Sequence, residues 1–261
     1  MRLTTGLLAL ALAIGLISAA DAQDAMRGLD LTSQDMTTAE MTRAQVEAAL
    51  KAAPGGSGAD FTGKRLSGLD LSGLDFSSAN LRAARLNHAN LSGAKLDRAT
   101  LDQAWALDVD LTGASLVKAS LFATQMAGAH LDGANLTGAR VTADLTGAHL
   151  AGARFENADC SADEKNQSMG LMRATFKSAD LSRADFSRAN LARADLRFAK
   201  FSGANLAGAT LREADASGAD LRGALLQGAD ATGLDVDSAR IDTASVPNLA
   251  KATHLDRAAR E

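Results

Sequence analysis

The sequence predicts an all-β solenoid, a β-helix wound from sides that are each five residues long. Three observations carry that expectation. Large apolar residues recur at every fifth position from Phe61 to about Val246, alanine stands two places before most of them, and the composition is 46% hydrophobic but only 3% aromatic, with no Tyr and 2 Pro. An α-helix repeats every 3.6 residues and a strand every two, so a period of five would smear around the first and change faces on the second.

The repeat can be followed residue by residue. Its centres begin Phe61, Leu66, Leu71, Phe76, Leu81, Leu86, Leu91, Leu96 and Leu101. Ala79, Ala84, Ala89, Ala94, Ala99 and Ala104 sit two residues before a centre. Asp or Asn is common just before the centre, and Ser, Thr, Arg and Gly follow it, as in Ala184, Asp185, Phe186, Ser187 and Arg188. This A-(D/N)-L-x-x pattern resembles the pentapeptide-repeat family, and the resemblance implies a right-handed quadrilateral β-helix. If four units close one coil, the centre and the alanine point inward and the other residues outward. Coils stacked about 4.8 Å apart would give roughly nine turns and a rod on the order of 45 Å long.

Two irregularities interrupt the count. Val141 to Leu145 is one residue short, and Cys160 to Leu171 is one residue longer than two units. The errors cancel on this count, which predicts that later units return to their original faces and that residues 161–170, with Asp163, Glu164 and Lys165, form an irregular outward loop.

The flanks follow other rules. Arg2, an apolar run from Leu7 to Ile17 and the small residues Ala20, Asp21 and Ala22 read as a signal peptide over residues 1–22, cleaved after Ala22. The mature chain is then expected to be periplasmic or secreted, with no transmembrane segment. Residues 23–60 form an N-terminal segment in which Thr42 and Gln45 make a capping box, with Met41 and Val46 placed as a hydrophobic staple. A short capping helix is expected over about 42–53, stopped by Pro54, Gly55 and Gly56. The tail, residues 247–261, carries Leu249 and Leu255 as large apolar residues and is read as a cap or as the contact of a homodimer through one end of the rod.

Charge selects no partner, since 31 acidic and 27 basic residues leave a net charge of -4, and no nucleic-acid partner is expected. The single Cys160 cannot form an internal disulfide and reads as a small buried filler. The chain lacks P-loop, Gly-x-Ser-x-Gly, His-Glu-x-x-His and Cys-x-x-Cys motifs, and a core filled by Leu, Phe and Ala leaves no concave site for catalysis. No enzyme and no cofactor are expected.

Three surface groups stand out. Trp105, Leu107 and Phe122 are apolar at outward positions near one corner, and form the partner-binding candidate. Asp110, His130 and His149 fall just before the centre on one face of consecutive coils, but a straight exposed column is a poor tetrahedral cage, so no metal site is expected. Arg173, Arg183, Arg188, Arg193 and Arg197 are interleaved with Asp180, Asp185 and Asp195, the pattern of a solvated mixed surface.

These features point to a non-catalytic binding or structural scaffold that offers the flanks of a rod to a protein partner. The resemblance also implies an alternative, because some members of the family mimic DNA with an acidic rod, bind DNA gyrase and protect it from quinolones. That role calls for a cytoplasmic chain and a strongly negative surface, whereas Arg65, Arg85, Lys95 and Arg140 lie at outward positions here. A metal-binding or enzymatic module using the Asp110, His130 and His149 ladder is the third reading.

Overall fold

The computed structural model describes residues 30–53, 58–163 and 172–261. The signal-peptide reading of residues 1–22 and the loop residues Glu164 and Lys165 lie outside the described residues.

The local unit is a tight turn. In most units the amide three residues after the centre donates to the centre's own carbonyl, as Lys64 N–H does to Phe61 O at 3.0 Å and Ala94 N–H to Leu91 O at 3.0 Å. The residue two after the centre then has positive φ, +63° at Gly93 and +54° at Ala83, as a type II turn requires. Glycine takes this conformation freely, whereas an L side chain costs about 1–2 kcal/mol there. That cost explains the glycine at many corners. It also makes Ala83, Arg188 and Phe198, all left-handed, corners that the stack must hold in place.

The turns are joined between coils by parallel backbone bridges in four ladders. One passes through Asp60, Asn80, Thr100, Ser120 and Arg140, the second through Arg65, Arg85, Trp105 and Gln125, the third through Asp70, Asn90, Asp110 and His130, and the fourth through Asp75, Lys95, Ser115 and Asn135. We call these faces 1 to 4. Along each, the centre donates to the carbonyl just before the next coil's centre, as in Leu91 N–H to Asp110 O, and the ladder residue donates back, as in Asp110 N–H to Ala89 O. Inside the four faces the centres and alanines are buried, from Phe61 to Ile241, in one continuous hydrophobic cluster. Phe155 and Phe186 stack with centroids 4.4 Å apart. Thr124 replaces an inward alanine, and its hydroxyl donates to Leu101 O at 2.9 Å.

The ladders correct the expected face assignment. The missing residue at Val141 to Leu145 appears as bridges from Gln125 to Asp144 and from His130 to His149. The next step is longer than two slipped units would make it: Asp144 pairs with Thr175, His149 with Asp180, Arg154 with Asp185 and Asp159 with Asn190. The chain leaves face 1 after Cys160 and re-enters on face 2 at Thr175, so Leu181 stacks on Leu150 of face 3 rather than returning to face 1. Leu171, counted as a centre, lies outside the described residues. The physical reason is that a coil must close on four sides. An excursion adds chain without adding sides, whereas a count of fives turns the excursion into two phantom units.

Both ends are covered in part. Helix α1 is a single turn, Gln34–Thr37, and α2 spans Arg43–Ala52 with Thr42 and Gln45 making the capping box. Val46 of α2 is wholly buried in the core cluster. In every later coil the carbonyls on the outer faces accept from the coil before, but the first coil has no predecessor. On face 3 the Arg43 guanidinium supplies two donors, to Asp70 O at 2.9 Å and Ser72 O at 3.1 Å. On face 2, Glu40 N–H donates to Arg65 O at 2.9 Å. At the other end, β1 (Arg240–Ile241) is followed by a 3-10 helix, Thr243–Leu249, and pairs in parallel with β2 (Ala259–Arg260). Thr253 extends face 2 by pairing with Asp235, whereas faces 1 and 4 end at Asp230 and Leu225.

The turn geometry makes a direct prediction. A Cβ at Gly93 would meet nothing within 4 Å, so Gly93→Ala should lower stability by about 1 kcal/mol through backbone strain alone. Chemical denaturation of the two proteins measures it, and equal midpoints and slopes would contradict the left-handed corner.

Candidate binding faces

The residue before each centre explains its preference for Asp and Asn. Its side chain accepts from the amide two residues on, as Asp70 does from Ser72 N–H at 3.0 Å, Asn90 from Ser92 N–H at 2.9 Å and Asp185 from Ser187 N–H at 2.9 Å. This is the local Asx bond that favours Asp and Asn in turns. Where the ladder residue is Ser, His or Trp, the previous coil supplies the acceptor in four cases. Asp97 takes Val117 N–H at 3.1 Å, Asp102 takes Phe122 N–H at 3.2 Å, Asp132 takes Ala151 N–H at 2.7 Å and Asn87 takes Leu107 N–H at 3.0 Å. The polar surface is therefore tied to the turns before any partner is considered.

These bonds hold several carboxyls below the usual range. The Thr62 hydroxyl and then its amide lower Asp60, and Ser72 does the same for Asp70. Asp220 is pulled down to about 2, first by the hydrogen bond from the Arg222 side chain and further by the Arg222 amide, against the opposing effect of burial. Burial pushes the Cys160 thiol well up, followed by the charge of Asp159. An inward, neutral thiol is a core filler.

Asp110, His130 and His149 do lie on consecutive coils of face 3, and the ladder continues to Asp180. The two imidazoles stack with centroids 4.7 Å apart and planes within 6°. A stack aims their nitrogens sideways in parallel instead of at a common point. Among the described residues no three His, Cys, Asp or Glu side chains converge to hold a metal ion.

Trp105, Leu107 and Phe122 are all half-buried. Trp105 stands in the face 2 ladder between Arg85 and Gln125, while Ala106 fills the inward position. Phe122 lies under the Arg140 guanidinium, 5.8 Å from its ring centre, a cation–π distance. Among the described residues the exposed large apolar side chains are others: Leu31 in the N-terminal segment, and on the rod Phe198 at 57% and Leu225 at 49%. Phe198 occupies a left-handed corner and lies over Gly218, whose added Cβ would come within 2.5 Å of its ring. Leu225 takes the place of an Asp or Asn at the last bridge of face 4. Both were visible in sequence as apolar residues in an outward phase, in Leu196, Arg197, Phe198 and in Ala224, Leu225, Leu226.

The arginines are spread around one coil rather than gathered. Arg183, Arg188 and Arg193 take successive left-handed corners. Arg188 reaches Asn157 Oδ1 at 3.1 Å, Arg193 reaches Glu213 at 2.8 Å and Arg197 pairs with Asp195. The exposed Arg193–Glu213 pair contributes about 0–1 kcal/mol, whereas the Asp195 carboxylate under Arg197 is itself buried.

One stretch of face 2 is covered by the chain's own N-terminal segment. Asn87 Nδ2 donates to Met36 O at 3.1 Å, Arg65 pairs with Asp35 at 2.7 Å, and Lys64 lies 3.4 Å from Glu40. Beneath this strap Ser67 and Asn87 are buried at positions that elsewhere mostly face solvent.

The family model for pentapeptide repeats matches 8 copies, over residues 57–87, 75–113, 107–142, 171–208 and 204–241. Among solved structures the chain is similar to a trypsin-treated variant of QnrB1, described as a plasmid-mediated fluoroquinolone resistance protein, at 15% identity and a TM-score of 0.53, covering 77% of this chain and 89% of that one. A second such QnrB1 variant gives 17% identity and a TM-score of 0.50 with the same coverage. HetL, a pentapeptide repeat protein involved in heterocyst differentiation regulation from the cyanobacterium Nostoc sp. strain PCC 7120, is 27% identical over 76% of this chain and 98% of its own, with a TM-score of 0.30. No curated protein matches the sequence significantly. The QnrB1 likeness shows the coiled fold. Among the described residues no helix is long and apolar enough to cross a membrane.

The carboxyl chemistry sets a pH dependence. Asp60, Asp70 and Asp220 are lowered in the folded chain, so their stabilisation is complete above the unfolded value of roughly 4 and is lost as pH falls through the folded values. Melting temperature should hold from pH 7 to about 5 and fall steeply towards pH 2. Asp220→Asn, which keeps an acceptor oxygen, should flatten part of that fall, and a melting temperature independent of pH down to 2 would contradict the assignment.

Proposed function

The chain belongs to the pentapeptide-repeat family, and on that premise we propose that it is a non-catalytic scaffold, exported to the periplasm or beyond, that presents the flanks of its rod to a protein partner. Members of this family are generally structural or binding proteins. The observation that carries the reading is the filled interior: the centres and alanines are packed into one cluster from the first coil to the last, which leaves long, regular outer faces as the parts that can meet another molecule. Solenoids use such faces as extended binding surfaces.

Trp105, Leu107 and Phe122 form the proposed contact on these faces. They supply aromatic and aliphatic area that is half-covered within the chain and borders a positive residue, Arg140. Aromatic anchors beside arginine are the usual content of a binding hot spot. A homodimer through an end of the rod is a second contact that the open C-terminal edges of faces 1 and 4 would allow. Gyrase mimicry finds less support, because basic residues stand among the acidic ones along every face, as in Arg65, Lys95, Arg140 and Lys200.

Export and contact are tested together. The tagged full-length chain should fractionate outside the cytoplasm with an N-terminus at Gln23 by intact mass. Crosslinking in those cells should yield a discrete protein adduct that is lost in the Trp105→Ala, Phe122→Ala double variant, while its circular dichroism spectrum stays unchanged. A cytoplasmic chain that retains Met1 would overturn export, and an adduct indifferent to the double variant would overturn this contact.

A further inference from the structure

Deepening the scaffold reading, on which it rests, we infer that face 2 of the first two coils is a binding groove for an acidic peptide segment of a partner protein, and that residues 30–41 occupy it as an intramolecular stand-in. The strap carries Asp30, Asp35 and Glu40 and no Lys or Arg. The face beneath it carries Lys64, Arg65 and Arg85. The opposition of charge is thus built into the two surfaces that meet.

The cover fits only in part, and the misfit indicates a replaceable occupant. Arg65 takes both acidic partners, Asp35 at 2.7 Å and Glu40 at 3.8 Å. Arg85, next in the same ladder, has no carboxylate partner among the described residues, and the buried Nε atoms of both Arg65 and Arg85 have no hydrogen bond. Ser67 is 4% exposed, and its hydroxyl is also without a partner. A buried donor left unmade is a cost that native structures rarely carry without a reason. A carboxylate placed one coil further along than Asp35 would meet Arg85, and the half-buried Trp105 and Leu107 come next on face 2 for an apolar residue beyond it. The groove therefore reads, along the rod, as cation, cation, then apolar shelf.

A strap that fills the groove lowers apparent affinity by the fraction of chains in which the groove is closed. The probe is a fluorescent peptide of residues 30–41, titrated by anisotropy against the full-length mature protein. It should bind the parent weakly, and should bind an Asp35→Lys, Glu40→Lys variant at least about tenfold more tightly, because that strap is repelled from Arg65. Adding Arg65→Gln to this variant should abolish the gain, because Arg65 is the cation that Asp35 and Glu40 of this segment meet. In the loosened variant, where Arg65 has already lost Asp35 and Glu40, Arg65→Gln should leave the melting temperature unchanged, which separates lost binding from lost folding. A probe whose three acidic residues are replaced by their amides should not bind.

Equal affinity for parent and loosened protein would overturn the groove, as would indifference to Arg65→Gln. Equal competition by an oligonucleotide of matched charge would overturn the peptide as its occupant. Failure of the groove while the crosslinked adduct at Trp105 and Phe122 persists would remove this site alone. Loss of that adduct with retained peptide binding would instead remove the proposed outer contact and leave the groove standing.

Discussion

The hydrogen bonds between stacked coils are the constraint on which everything else depends. Each face both donates to and accepts from the coil on either side of it, so every coil must present the same four sides at the same height. A side of five residues meets that demand only if the chain turns within it, and the turn needs a left-handed residue two places after the centre. The positive φ at Gly93, Ala83 and Arg188 is thus a consequence of the ladder, tolerated wherever stacking outweighs the local cost. Leucine or phenylalanine at the centre and alanine two places earlier fill what the four sides enclose.

The same demand organises the surface. A turn leaves an amide just after the centre, and in many units the Asp or Asn before the centre, or an Asp or Asn one coil back, accepts from it. Much of the acidic surface is therefore committed to the turns, which limits how far total charge can report on a partner. The ends show the constraint most openly. Arg43 places two guanidinium donors where a preceding coil would have placed two amides, and Thr253 and Ala259 continue two of the four ladders at the other end. Unpaired edges invite association, and among the described residues faces 1 and 4 are the two whose ladders end without such a continuation.

Much of this was legible from residues alone. The period, the inward pair and the outward Asx could be read because each recurs, and repetition averages out local exceptions. The capping box of Thr42 and Gln45 was legible because it is local. The excursion after Cys160 was not, since Leu171 falls where a count of fives places a centre, and nothing in the count says that a side has been skipped. The covered stretch of face 2 was equally hidden. Ser67 and Asn87 look like ordinary outward residues until Met36, distant in sequence, folds back to bond Asn87. Trp105 and Leu107 were visible as outward apolar residues, yet their half-burial beside that strap depends on contacts that no period encodes.

The continuity of the ladder across the excursion bears most of the weight, because it decides which residues share a face in the second half of the rod. His149 and Asp180 are bridge partners on face 3, and parallel neighbours about 4.8 Å apart lie within the span of a disulfide. The most direct measurement is intact mass and peptide mapping of the oxidised His149→Cys, Asp180→Cys protein, in which Cys160 is buried and does not compete. The four-sided ladder predicts a single bond between the two introduced cysteines in the folded chain. A folded protein in which those two thiols stay free would place them on different faces and contradict the account.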